Sequence, residues 1–175
     1  MSIENWFKSI NKYEVVGETI EFCDPASTLE IDEFESAFSI SVPELRSIWL
    51  IANGESSTSE GIFGGFQLLS IEESKDTIEN NLSLLSDGET LKAEEFDSFL
   101  GKTSIFENGW IPFGGLFNRH LLILDARDKT KRPVFEWSLE LGPGRLIGND
   151  LLDFLVSVRE QLLSQDFIGD LDELK

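Results

Sequence analysis

Residues 109–125 read GWIPFGGLFNRHLLILD, and three readings of this stretch compete: an active-site loop around a lone histidine, a glycine cradle for phosphate, or two strands of a scaffold. Trp110 to Phe113 and Leu121 to Ala126 are short apolar runs of strand length, and a third follows at Pro133 to Trp137. The basic segment RDKTKR, 127–132, separates the last two and suits a hairpin tip. In the scaffold reading Trp110 and Phe113 pack the core, and Gly114-Gly115 permits the turn. Pro112, which has no N–H for the ladder, sits at an edge or a bulge, and Asp125 closes its strand as a turn acceptor.

The two chemical readings lack their remaining parts. A phosphate loop needs a longer glycine pattern, a lysine and a following helix start, and neither Gly64-Gly65 nor Gly114-Gly115 supplies them. His120 is the only histidine, and a general base needs both an orienting group and a nucleophile within reach, so the expectation is a surface or strand-end residue. One histidine and one distant cysteine, Cys23, fall short of a zinc ligand set, and neither metal nor cofactor is expected. Acid pairs such as Asp32-Glu33, Glu72-Glu73 and Glu94-Glu95 follow from the abundance of acids, and spacing cannot identify a catalytic pair. They read as solvated helix faces that can also recognise a basic partner.

Working outward, helical patterns surround the strands. Ile3, Trp6, Phe7 and Ile10 are spaced three and four apart, predicting a helix over 2–12. Ser27 with Glu30 forms a capping box, opening a helix from Thr28 that buries Ile31, Phe34 and Phe38. Pro43 suits the first turn of the next helix, with Leu45, Ile48, Trp49 and Ala52 inward and Asn53-Gly54 as its left-handed end. GIFGGFQLLS, 61–70, reads as a strand with a glycine kink, and Ser70 with Glu73 opens a helix through Ile71, Ile78, Leu82 and Leu85. LKAEEFDSFLGK, 91–102, is ambiguous between a short helix and a packed loop. Asn149 or Asp150 caps a last helix burying Leu151, Phe154, Leu155, Val158 and Leu162, and the acidic end 165–175 is expected to be solvated or frayed. Helices, then strands with one helix inserted, then a closing helix predict an α+β domain with a mixed or antiparallel sheet packed by helices, in one domain over 1–175.

Composition bounds what such a domain does. The 175 residues include 33 acids and 14 bases, a formal net charge of -19. That field repels nucleic acid and anionic membranes and speeds encounter with basic proteins. Residues 1–60 and 72–107 carry most of the excess, whereas Arg119, Arg127, Lys129, Lys131 and Arg132 make 119–136 locally basic. No apolar run approaches the ~18 residues of a spanning helix, and MSIENWFKSINKY lacks the form of a signal peptide. With a single cysteine, the chain is expected in the reducing cytoplasm.

Three segments, in this order, resemble the SUKH superfamily of Smi/Knr-like domains. IDEFESAFSISVPELRSIWLIANGE is similar to the family's opening, with Glu35, the Val42-Pro43 step and the terminal Asn53-Gly54. WIPFGGLFNRHLLILDARD resembles its W-x-P-[FI]-G core through Trp110, Pro112, Phe113, Gly114 and Asp125, and RPVFEWSLE, with Trp137, precedes a closing NDLLDFLVSV. The similarity spans about 28–163; it departs at Val42, at the apolar GGLFNRH turn and in the long acidic region 72–107. The resemblance implies a fold without catalytic activity, acting as an immunity protein that binds and neutralises a cognate toxin domain, often a nuclease. Acidic positions Glu72, Glu73, Asp76 and Glu79 are the expected contact residues for a basic toxin. The alternatives are a regulatory interaction scaffold, as in fungal members, and a small hydrolase using His120 or clustered carboxylates.

Overall fold

A computed structural model describes residues 1–11, 20–86, 106–116, 119–127, 129–138 and 142–172. The described elements are α1 (Ile3–Ile10), α2 (Thr28–Phe38), α3 (Pro43–Trp49), β1 (Gln67–Leu68), α4 (Ile71–Ser86), β2 (Trp110–Leu116), β3 (His120–Asp125), β4 (Val134–Ser138), β5 (Gly142–Gly148) and α5 (Leu151–Asp172). The strands form one five-stranded sheet in chain order, antiparallel throughout, so the fold is α+β with its sheet packed by helices.

The helix starts follow from local hydrogen bonds. The Ser27 Oγ accepts from the Glu30 N–H while the Glu30 carboxylate accepts from the Ser27 N–H, and Ser70 and Glu73 repeat the arrangement at α4. Of the two candidates before α5, Asp150 is the cap: its Oδ1 accepts from the Asp153 N–H at 2.8 Å, and Asp153 reaches back to the Asn149 N–H at 3.0 Å. That contact holds the Asp153 carboxyl below its usual pKa.

Both faces of the sheet are covered by aromatic residues. On one, Phe113 meets Phe63 and Phe154, and Phe63 meets Trp6; on the other, Trp110 packs edge-on against Phe106, Phe135 and Trp137. The Trp6 indole N–H donates to the Leu155 carbonyl at 2.5 Å, tying α1 to α5. The Trp49 indole N–H donates to Leu69 at 3.1 Å, and the buried Ser74 hydroxyl to the Pro112 carbonyl at 2.7 Å, fixing α3 and α4 to the sheet's β1–β2 side.

Several sequence expectations change. Gly114-Gly115 is not a turn; both lie within β2, where register shifts between Pro112 and Gly114. β1 is so short that it pairs only with Gly114 and Gly115, so the proline bulge stands where β2 has no strand neighbour on that side. Gly114 is needed because a Cβ there would lie 2.7 Å from Leu122 Cδ1. Gly114→Ala is expected to destabilise the protein by about 1–3 kcal/mol in urea denaturation. At Gly115 the obstacle is the half-buried Leu69 side chain, so alanine there is expected to cost less.

The predicted strand 61–70 reduces to Gln67–Leu68. The preceding glycines make a tight turn, Gly61, Gly64 and Gly65 at φ +89°, +66° and +97°, closed by a Phe63–Phe66 bridge. Asn53-Gly54 does not end α3, which stops at Trp49; the Asn53 Oδ1 accepts from the Ile71 N–H at 2.9 Å and so helps start α4. Phe38 is half-buried, and β5 was not predicted. α5 runs to Asp172, through much of the segment expected to fray. The ambiguous 91–102 segment and the side chains of Leu82 and Leu85 lie outside what is described.

Candidate partner-binding surface

α4 bears the acids singled out in the sequence, and the structure separates their roles. Glu72, Glu73, Asp76 and Glu79 are all exposed. Glu73 is committed to the cap, its Oε2 accepting from both the Ser70 N–H and hydroxyl at 2.8 Å. Glu79 stands 3.9 Å from the Lys75 ammonium, a loose pair of little worth at this exposure. Glu72 and Asp76 have no partner among the described residues, and with Glu79 they share one helix face.

α2 packs beside α4 and is also acidic. There Asp32 and Glu35 hold Arg46 at 2.6 and 3.1 Å, and the Asp32 contact raises the Arg46 pKa. Glu35 also accepts from the Val42 N–H at 2.8 Å, so it joins the end of α2 to the start of α3. Exposed Glu33 has no partner among the described residues, and Leu29 stands 64% exposed in the first turn.

The remaining sequence candidates are structural in placement. Pro43 is the first residue of α3 and Gly54 adopts φ +95°. Trp110 and Trp137 are buried and in edge-on contact. Asp125, 4% exposed, accepts from the Arg127 N–H, Nε and Nη2 at 3.0, 2.8 and 2.5 Å, and from the Trp110 indole at 3.3 Å. Arg127 in turn lies 5.2 Å from the Trp110 ring centroid and pairs with Glu107. His120 is exposed at the start of β3, opposite Ser138. Among the described residues no group of three histidine, cysteine or carboxylate side chains gathers as a metal site, and no helix is long and apolar enough to cross a membrane.

The basic hairpin borders a cleft of about 650 Å³ with the end of α2. Arg132 holds Glu44 through Nη1 at 2.7 and 2.8 Å, joining the hairpin to α3. The Arg132–Glu44 contact was not legible in the sequence, since 88 positions separate the two, whereas the Asp125 Oδ1 accepting from the Arg127 N–H is the turn contact expected of a strand-ending aspartate. Glu55 was also missed; it is buried and bound to the loop that follows it.

A meander sheet, capped flanking helices and a core that buries Trp110, Pro112 and Asp125 define an α+β domain. Comparison with known families matches residues 25–157 to the SMI1 / KNR4 family (SUKH-1). The match covers most of the chain, which therefore belongs to that family, one of immunity-type domains. A search of curated proteins finds no match.

Proposed function

We propose that the protein is a non-catalytic immunity protein that binds and neutralises a cognate toxin domain, a basic nuclease, through the acidic surface of α2 and α4. The observation that carries this reading is that Glu72 and Asp76, on one face of α4, have no partner among the described residues, in a SUKH chain of net charge -19. Carboxylates without internal cations keep their field for an approaching basic surface, and complementary charge of this kind raises association rates toward ~10⁸–10⁹ M⁻¹s⁻¹ at low salt. The same field disfavours contact with the nuclease's own substrate. In this reading 1–175 acts as one domain in the cytoplasm, and Glu73 contributes through the α4 cap while Glu79 extends the binding face.

The test begins with co-purification of the tagged protein and the product of its neighbouring gene, with growth scored in the presence and absence of this chain. Where a complex forms, Glu72→Lys with Asp76→Lys is expected to slow association about 10- to 100-fold at low salt, and much less at high salt. Unchanged affinity and on-rate would sink the assignment of this face. Absence of both complex and rescue favours the regulatory-scaffold function, and turnover abolished by His120→Ala would instead establish a hydrolase.

A further inference from the structure

We propose that the cleft between the end of α2 and the β3–β4 hairpin docks an acidic, extended segment of a protein partner, with a carboxylate at Lys129 and an apolar side chain on Phe38 and Ile40. The cleft, about 650 Å³, is lined on one side by residues 38–41 and on the other by Asn108-Gly109, Ala126, Arg127, Lys129 and Arg132. Three cations and no acid line it among the described residues, a reversal of sign in a chain of net charge -19.

Among the described residues, the acids near these cations are partners of the guanidinium groups and do not line the cleft. Asp125 and Glu107 hold Arg127, and Glu44 holds Arg132 through Nη1 alone. Arg132 lines the cleft with its charge, though its Nε is buried out of a ligand's reach. Lys129 is exposed and has no partner among the described residues, so it is the cation that remains to meet a carboxylate. The opposite wall supplies the half-buried Phe38 and Ile40.

Ser39, at φ +54°, is the left-handed cap that ends α2, and Arg132 stands at φ +43° on the opposite wall. A free carboxylate ion is far smaller than this cleft and leaves the apolar wall unused, whereas a chain segment with alternating acidic and apolar side chains meets both walls at once. The net charge of the whole chain opposes any anionic ligand at long range, so the contact rests on the local cations and the apolar wall. The inference does not depend on the acidic face of α4 and concerns a different surface.

The test is titration of the full, isotope-labelled chain with a peptide of alternating glutamate and leucine, followed in proton–nitrogen correlation spectra. Saturable shifts are expected at Ile40, Ser41, Gly109 and Lys129, and Lys129→Glu and Ser41→Glu are each expected to weaken binding about tenfold or more. Both sites are exposed, and unchanged thermal melting establishes that the variants fold. Glu72→Lys, on the other surface, is expected to leave peptide binding no weaker. The proposal is overturned by absence of saturable shifts, by equal binding of a lysine–leucine peptide, or by unchanged affinity in both cleft variants. Sodium acetate reproducing the same shifts would overturn it in favour of a free-carboxylate site.

Discussion

Glu55→Ala is expected to destabilise the fold by about 3–4 kcal/mol and lower Tm by roughly 10 °C. Glu55 is 7% exposed, and its Oε1 accepts from the Leu68 and Ile62 N–H groups at 2.7 and 3.1 Å while Oε2 meets the Ser59 hydroxyl. Its own N–H donates to the Leu68 carbonyl at 2.9 Å, so one residue closes the loop that leads from α3 into β1. Alanine would strand the buried amides of Ile62 and Leu68 and remove the carboxylate that the Ser59 hydroxyl meets. Glu55→Gln, which keeps an acceptor and offers an amide donor to Ser59, is expected to cost under about 1.5 kcal/mol in urea denaturation.

Glu55 also carries a pH signature. Burial pushes its carboxyl up from the usual value, more than the Ser59 and backbone contacts pull it down. A raised folded-state pKa means the native protein holds this proton more tightly than the unfolded chain. Stability is therefore greatest below the unfolded pKa of about 4.3 as far as this group is concerned, and declines as pH rises from there through the folded value. Other carboxylates titrate in the same range, so the measurement is the difference in stability between wild type and Glu55→Gln across pH 4–8, a window set about the ordinary glutamate pKa. A constant difference would show that Glu55 holds no such proton.

Asp125→Ala is expected to cost about 3 kcal/mol, because the carboxylate serves four donor groups at once, three on Arg127 and the buried indole N–H of Trp110. Burial lowers the Arg127 pKa, the mark of a guanidinium partly removed from water, and the Trp110 indole N–H beside it is fully enclosed. Removing Asp125 leaves both short of an acceptor. The loss is expected to persist in high salt, since the Asp125 side chain is only 6% exposed and little screened. Asp125→Asn retains an oxygen for the Arg127 N–H and is expected to lose about half as much. A salt-sensitive loss, or none, would assign Asp125 to the surface pairing of Arg127 with Glu107 and not to the core.

The sequence determined those elements whose cause lies within a few residues. Ser27 with Glu30 and Ser70 with Glu73 start their helices wherever those segments sit, Pro43 marks a first turn, and the period of Ile3, Trp6, Phe7 and Ile10 makes one apolar face. Three apolar runs around a basic hairpin gave β2, β3 and β4, because a strand buried on the sheet leaves its composition in the chain. The ordered motifs from Glu35 to Trp137 carried the family.

Tertiary structure alone decided the rest, because the deciding partners are distant in the chain. GPGRLIG, 142–148, has the composition of a loop and becomes β5 only by pairing with β4. Gly114 has the composition of a turn, and the Leu122 side chain pressing on it keeps it within a strand. Asn53 ends no helix but starts one 18 residues later. The acids of α4 look alike in sequence, yet a cap occupies Glu73 while Glu72 and Asp76 have no partner among the described residues. Local hydrogen bonds and side-chain periodicity are written along the chain; which charges remain uncommitted depends on what folding brings beside them.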